Sequence, residues 1–314
     1  MLLPPGHVAA EALRTLVEER YGVRDAPLEF QPLGEDSWAF RCGHLWVSVR
    51  RDLRGHVPGA YQAATELRRA GLRRVLAPLP DAEGTVVHTV CDTPVVVFPL
   101  VNAVQTDPRK VTAAEWEQIV TLVGEVHWQR VTASLPTEDF RLGFEDDLRA
   151  ALEFADGPAP TGTVVPRRLH ALLRAHRAYL DRLCRLHREL AGRCAADDTP
   201  PVLTHGEPSA PNVLRAADGF LLADWGGARW GPPERDWFHL LRTFGDAPAC
   251  RADFLRFYDV KWILSEVAEY ATVLRRTTVE DEDARAMWRR LTRYLPEHTP
   301  APDSCLGGAT RGVE

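Results

Sequence analysis

Residues 203–214 read LTHGEPSAPNVL, and residues 220–227 read FLLADWGG. In the first stretch His205, Glu207 and Asn212 stand between apolar flanks; in the second, Asp224 ends an apolar run. Short apolar runs bounded by Gly, Pro, Asn and Asp read as strands joined by turns. The island they form, Val202 to Gly231, interrupts a chain of long helical periods. VTAAEWEQIVTLVGEVHWQRV (111–131) precedes it, with Thr112 three residues before Glu115 as a capping box. PRRLHALLRAHRAYLDRLCRLHREL (166–190) reads as one long helix, and ADFLRFYDVKWILSEVAEYATVLRRT (252–277) and DARAMWRRLTRYL (283–295) repeat the pattern after the island.

The first third of the chain differs. HVAAEALRTLVEERYG (7–22) and PGAYQAATELRRAG (58–71) are helix-periodic, whereas LEFQPL, SWAFRC, HLWVSVR, VLAPLP, GTVVHTV and PVVVFPLV are strand-like. About five strands, with a helix inserted after the third, predict a small antiparallel sheet carrying one flanking helix. The expected architecture is α+β: a bilobal, protein kinase-like fold. Residues 1–101 form the sheet lobe, 102–300 the helical lobe and 301–314, rich in Pro, Gly and small polar residues, a mobile tail.

A 314-residue chain with 45% hydrophobic and 26% charged residues has the composition of an ordinary globular protein. Its net charge of −6 and scattered basic residues argue against nucleic acid as the main partner and suit a cationic small molecule better. No basic leader with an apolar core and no long uncharged apolar span stands out, so a cytoplasmic location without membrane contact is expected. The six cysteines include no CxxC pair, which favours free thiols over zinc or a disulfide framework. Only Lys110 and Lys261 are lysines among 38 basic residues, so a positive charge required by chemistry will nearly always come from Arg.

The island carries the chemistry. Phosphoryl transfer asks for a carboxylate that orients and deprotonates the attacking hydroxyl, and for oxygen ligands to Mg²⁺ on the phosphates. Glu207 supplies the first, Asn212 and Asp224 the second. HGEPSAPN followed by LADWGGARWGPPERD resembles the catalytic loop and metal-binding strand of the aminoglycoside phosphotransferase and choline kinase-like superfamily. In that family the loop reads H-x-D-x-x-x-x-N. His205, Glu207 and Asn212 match it position by position, with Glu in place of Asp, and Asp224 matches the metal-binding aspartate. The G-P-x-x-x-D segment that braces the loop maps to Gly231, Pro232 and Asp236, and GEVHWQRV around His127 to the helix beneath it. The resemblance also assigns nucleotide contacts to Gly34 and Ser37 of a covering hairpin, to Ser48, Arg50 and Glu66, and to Phe98 and Leu100 at the lobe border.

Two departures matter. Glu207 is longer than Asp by one methylene, about 1.5 Å of reach, in a setting where about 1 Å of misplacement costs roughly 10²-fold. The strand lysine that grips phosphate and pairs with the helix glutamate is replaced by Ser48. Strand alternation puts Arg50 on the same face, where its fork can reach the phosphates; the alternative is a solvent-facing arginine beside Arg51. The resemblance implies an ATP- and Mg²⁺-dependent O-phosphotransferase, with GTP as a possible donor, acting on a hydroxylated small molecule. An antibiotic fits best, in resistance or biosynthesis. The alternatives are a pseudokinase that binds nucleotide without chemistry and a kinase of a primary metabolite such as choline or homoserine. A monomer or homodimer is expected.

Overall fold

The computed structural model describes residues 4–6, 8–33, 37–50 and 56–296. Gly34 and the expected tail 301–314 lie outside the described residues. Met1–Glu138 with Pro200–Pro248 form one compact unit, and Asp139–Thr199 with Ala249–Glu314 another.

In the first unit, α1 (Ala10–Tyr21) leads into β1 (Leu28–Gln31), β2 (Ser37–Cys42) and β3 (Leu45–Arg50), then α2 (Pro58–Arg69), β4 (Val87–Val90) and β5 (Thr93–Pro99). The five strands form an antiparallel sheet in the order β1-β2-β3-β5-β4. Alternation along β3 sorts its side chains. Leu45, Val47 and Val49 join Trp38, Phe40, Val95 and Val97 on Leu13 and Val17 of α1. On the opposite face Trp46, Val96 and Phe98 gather on Tyr61 of α2. Each fully buried large apolar side chain stabilises by about 1.5–3 kcal/mol. The sheet is apolar on both faces, so it needs a helix on each; two flanking helices replace the expected one.

VLAPLP is not a ladder strand. Pro78 and Pro80 have no N–H to donate, and the segment makes isolated contacts instead: a parallel bridge between Val75 and Leu222, with the Leu76 amide donating to the Leu222 carbonyl at 2.9 Å, and the Leu79 amide donating to the Val97 carbonyl at 2.8 Å.

The island resolves into two small sheets. After β6 (Ala103–Gln105) and α3 (Ala113–His127, opened by the reciprocal Thr112–Glu115 capping box), β7 (Val202–Thr204) enters the 205–212 loop. β8 (Val213–Ala216) and β9 (Gly219–Leu222) form a hairpin with β6 at its side. β10 (Arg229–Gly231) pairs back on β7, with Arg229 opposite Thr204 and Trp230 opposite Leu203. In the second unit, α4 (Glu145–Asp156), α5 (Val164–Ala175) and α6 (Arg177–Ala195) are followed by α8 (Ala252–Leu274) and α9 (Glu282–Arg293); α7 (Glu234–Phe244) belongs to the first unit. The run 166–190 is thus two helices, broken at His176 with φ −100° and ψ 8°. Neither Gly nor Pro marks that break, so periodicity alone ran through it. Two acidic runs, EDD at 145–147 and EDED at 280–283, lie at helix starts: Glu145–Asp147 form the first turn of α4, and the Asp281 carboxylate caps α9 by accepting the Ala284 amide at 2.8 Å.

Gly59, in the first turn of α2, has no room for a side chain: a Cβ there would lie 2.0 Å from the Ser134 carbonyl oxygen. Gly to Ala in a helix ordinarily stabilises by about 0.5–1 kcal/mol. Gly59→Ala is instead expected to destabilise by about 1–3 kcal/mol, as overpacking does, measured as a lower thermal midpoint.

Candidate functional site

The 205–212 loop is held from below by a carboxylate at the start of α7. Asp236 is fully buried. Its Oδ2 accepts the His205 amide at 2.9 Å and its Oδ1 the Gly206 amide at 2.7 Å. Oδ2 also takes His127 Nε2, from the last turn of α3, at 2.9 Å. Burial alone would raise its pKa, but the His127 hydrogen bond and the nearby positive groups outweigh it and hold the carboxyl at about 2. Asp236 is therefore an anion at neutral pH and only accepts, so the shared proton sits on His127 Nε2.

His205 is fixed in one tautomer. Nε2 lies 2.8 Å from the Ala223 carbonyl oxygen, which only accepts, so Nε2 carries the hydrogen. Nδ1 accepts the Glu207 amide at 3.2 Å. The ring is neutral, and burial pushes its pKa down. It stands edge-on to buried Trp225, with ring centroids 4.7 Å apart. Its work is mechanical: it ties the backbone of Glu207 to that of the residue before Asp224. Asn212 ties the same two points. Its Nδ2 donates to the Glu207 carbonyl at 2.9 Å, and its own carbonyl accepts the Ala223 amide at 2.8 Å. With the amide nitrogen so used, Oδ1 is the atom Asn212 offers a ligand.

The length of Glu207 is accommodated locally. Ser209 Oγ donates to Glu207 Oε1 at 3.2 Å, so the side chain folds back over its own loop. Gly206 makes that loop possible. Its φ of +108° suits glycine, and a Cβ would lie 2.5 Å from the Arg235 guanidinium.

Asp224 is left-handed at φ 63° and ψ 65°, a conformation that costs a non-glycine residue about 1–3 kcal/mol and gathers at functional sites. Arg50 Nη2 donates to its Oδ1 at 2.7 Å, and the Arg50 side chain is only 4% exposed. Arg50 is thus turned into the site and not to solvent. Ser48, two residues back on the same strand face, is buried between Ala39 and Val96. The Asp224 carboxylate and Asn212 Oδ1 are hard oxygens of the kind Mg²⁺ takes while keeping several waters. Among the described residues there is no group of three or more His, Cys, Asp and Glu that could hold a metal ion.

His205, Glu207, Asn212, Asp224, Asp236 and Arg50 therefore form one connected network. Glu66 does not join it: its carboxylate accepts the Thr132 amide at 2.6 Å and the Thr132 hydroxyl at 2.8 Å, binding α2 to the segment after α3 and not to a strand cation. Ser37 sits opposite Arg50 on β2, Phe98 packs beside Trp46, and the Leu100 amide donates to the His44 carbonyl at 2.7 Å. Ser209 and Arg235 escaped sequence reading; their only signal was position, two after the acid and one before Asp236.

The depressed pKa of Asp236 sets an acid limit. Its contribution to stability is complete above the unfolded aspartate value of about 3.9 and is lost as pH falls through about 2. Buried His239 adds to this in the same sense: burial holds it at about 3, so its stabilising contribution fades from about pH 6.5 downward. Asp236→Asn, which strands His127 and the two amides around a neutral group, is expected to lose about 3–5 kcal/mol at pH 7 and much less near pH 2, in denaturant melts at the two pH values.

The chain matches the family described as phosphotransferase enzyme family over residues 48–270. It is 46% identical over 310 residues to Protein StrN of Streptomyces griseus, spanning 95% of this chain and 97% of that protein. Among solved structures it resembles spectinomycin phosphotransferase APH(9)-Ia in complex with ADP and spectinomycin, with TM-score 0.72 at 16% identity over 91% of this chain and 94% of that one. It also resembles the GDP and kanamycin complex of an APH(2″) enzyme, with TM-score 0.59 at 14% identity over 89% and 97%. A microcompartment-associated aminopropanol kinase gives TM-score 0.59 at 15% identity over 91% and 95%. At such identities these structures speak for the kinase-like α+β fold alone, whereas the match over 48–270 and the Streptomyces relative speak for kinship: the chain belongs to the APH family of phosphotransferases.

Proposed function

We propose that this protein transfers the γ-phosphate of ATP to a hydroxyl of a small antibiotic-like molecule, of the aminocyclitol or aminoglycoside class, with Mg²⁺. One observation carries the reading: Arg50 is buried against Asp224, while His205 and Asn212 tie the Asp224 strand to the backbone of Glu207. A cation, an anionic metal ligand and a carboxylate base joined this way meet the needs of phosphoryl transfer. Spectinomycin and kanamycin in the related structures support the acceptor class, and their bound ADP and GDP support a purine nucleotide donor.

In this reading residues 1–101 are the nucleotide lobe and 102–300 carry the loop and acceptor site. Asn212 Oδ1 and Asp224 hold Mg²⁺, which when bound neutralises charge on the phosphates. Glu207, presented by Ser209, orients the acceptor hydroxyl and takes its proton. Arg50 replaces the strand lysine of the family and binds phosphate oxygens, and Asp236 holds the loop amides. Neutral His205 serves as a brace and not as an acid or base.

Incubation with MgATP or MgGTP and a panel of aminocyclitol, aminoglycoside, choline and homoserine acceptors tests the proposal. One antibiotic-class acceptor is expected to gain about 80 Da, the mass of one phosphoryl group. Gain on choline or homoserine alone would reassign the acceptor, and nucleotide binding without transfer to any acceptor would leave the binding-only role that Ser48 raises. Glu207→Ala is expected to lower kcat by about 10²- to 10⁴-fold with nucleotide binding retained, read by titration calorimetry. Arg50→Met is expected to weaken nucleotide binding by about 10-fold or more, the worth of a charge-assisted hydrogen bond.

A further inference from the structure

Arg235 lies between the two halves of the site and is not a residue the phosphotransfer roles above require. Its side chain is 11% exposed, and its guanidinium reaches three neighbouring segments. Nη1 donates to Thr204 Oγ1 at 3.0 Å, on the last residue of β7 before the 205–212 loop. Nη2 donates to the Gly227 carbonyl at 2.9 Å, in the turn that leaves Asp224. Nε lies 3.6 Å from Glu138 Oε2, a carboxylate whose side chain is 1% exposed and whose amide donates to the Trp230 carbonyl at 2.7 Å. The same guanidinium fills the space a side chain at Gly206 would need.

We infer that Arg235 is a positioning residue: its planar fork locks the strand entering the 205–212 loop to the turn leaving Asp224, and so sets the spacing of Glu207 from the Asp224 carboxylate. The kinetic consequence rests on the phosphotransfer reading; the locking itself does not. His205 and Asn212 join the two segments at Ala223, on the near side of Asp224. Arg235 joins them at Gly227, on the far side, so Asp224 with its left-handed backbone is clamped between two ties. A lysine cannot reproduce this: one ammonium is a point charge without a fixed fork, and it cannot meet a hydroxyl, a carbonyl and a carboxylate set at these angles. Burial keeps water from taking over whichever hold is lost.

Hydrogen exchange by mass spectrometry on the full chain, wild type against Arg235→Lys, tests the lock directly. Amides in 204–207 and in 225–228 are expected to exchange faster together, by about tenfold, the effect of losing one charge-assisted hydrogen bond, while the five-stranded sheet is unchanged. In steady-state assays kcat is expected to fall by about 10²-fold with KM for nucleotide and acceptor unaltered, and added guanidinium ion to restore part of it to Arg235→Ala. Thr204→Val removes a single hold and is the milder variant should Arg235→Lys fold poorly; the same paired loosening is expected. Exchange that changes in neither segment, or in only one, overturns the inference, and so does a wild-type kcat in Arg235→Lys. Absence of any transfer by the wild type would count against the phosphotransfer reading instead, and the exchange result would still decide the lock.

Discussion

Asp236 is an anion with no access to water, and it persists because the His205 and Gly206 amides and His127 Nε2 converge on it. Taking a carboxylate out of water costs several kcal/mol unless such donors replace the solvent. The donors fix the loop in return: two successive amides aimed at one carboxylate determine the path of the backbone at 205–206, and from there the place of Glu207. The left-handed turn at Gly206 follows from this demand. The local rigidity of the site is therefore electrostatic in origin, and it is lost if that one charge is lost.

Arg50 and Asp224 form the second centre of charge. Their contact at 2.7 Å joins strand β3 to the turn after β9, elements far apart in sequence. A buried ion pair contributes little net stability, because desolvation offsets attraction. Its value here lies in preorganisation: Arg50 is held out of water at 4% exposure while the Asp224 carboxylate, 36% exposed, stays open to a ligand. The left-handed backbone of Asp224 points the same way, as strain kept where the surrounding packing, notably buried Trp225, over-determines it.

This chain departs from the family pattern at two side chains of the site. A serine stands where the strand lysine is expected, and the arginine two residues on reaches Asp224 from the same face of β3. The acid of the loop is longer by a methylene, and Ser209 turns it back. In both cases a side chain two residues on makes a contact in the site, Arg50 with Asp224 and Ser209 with Glu207.

The sheet, the helices around it and the island were legible from the chain because each depends on local periodicity. Alternation on β3 put Arg50 on the side of Ser48, and the order of His205, Glu207, Asn212 and Asp224 marked the loop and hairpin. Backbone chemistry within a few residues settles such features. The break at His176 was invisible, since no residue there forbids helix, and the strand expected at 75–80 was cancelled by prolines whose missing donors count only once a ladder is assigned. Glu66 was misdirected toward a strand cation because a helix position says which face a side chain takes, not which neighbour lies beyond it. The partner of Arg50, the tautomer of His205 and the holds of Arg235 are contacts between different segments, from eight to 174 residues apart. Only the folded chain decides these, for a hydrogen bond needs its two atoms within about 3 Å in a given direction, and no spacing in sequence carries that information.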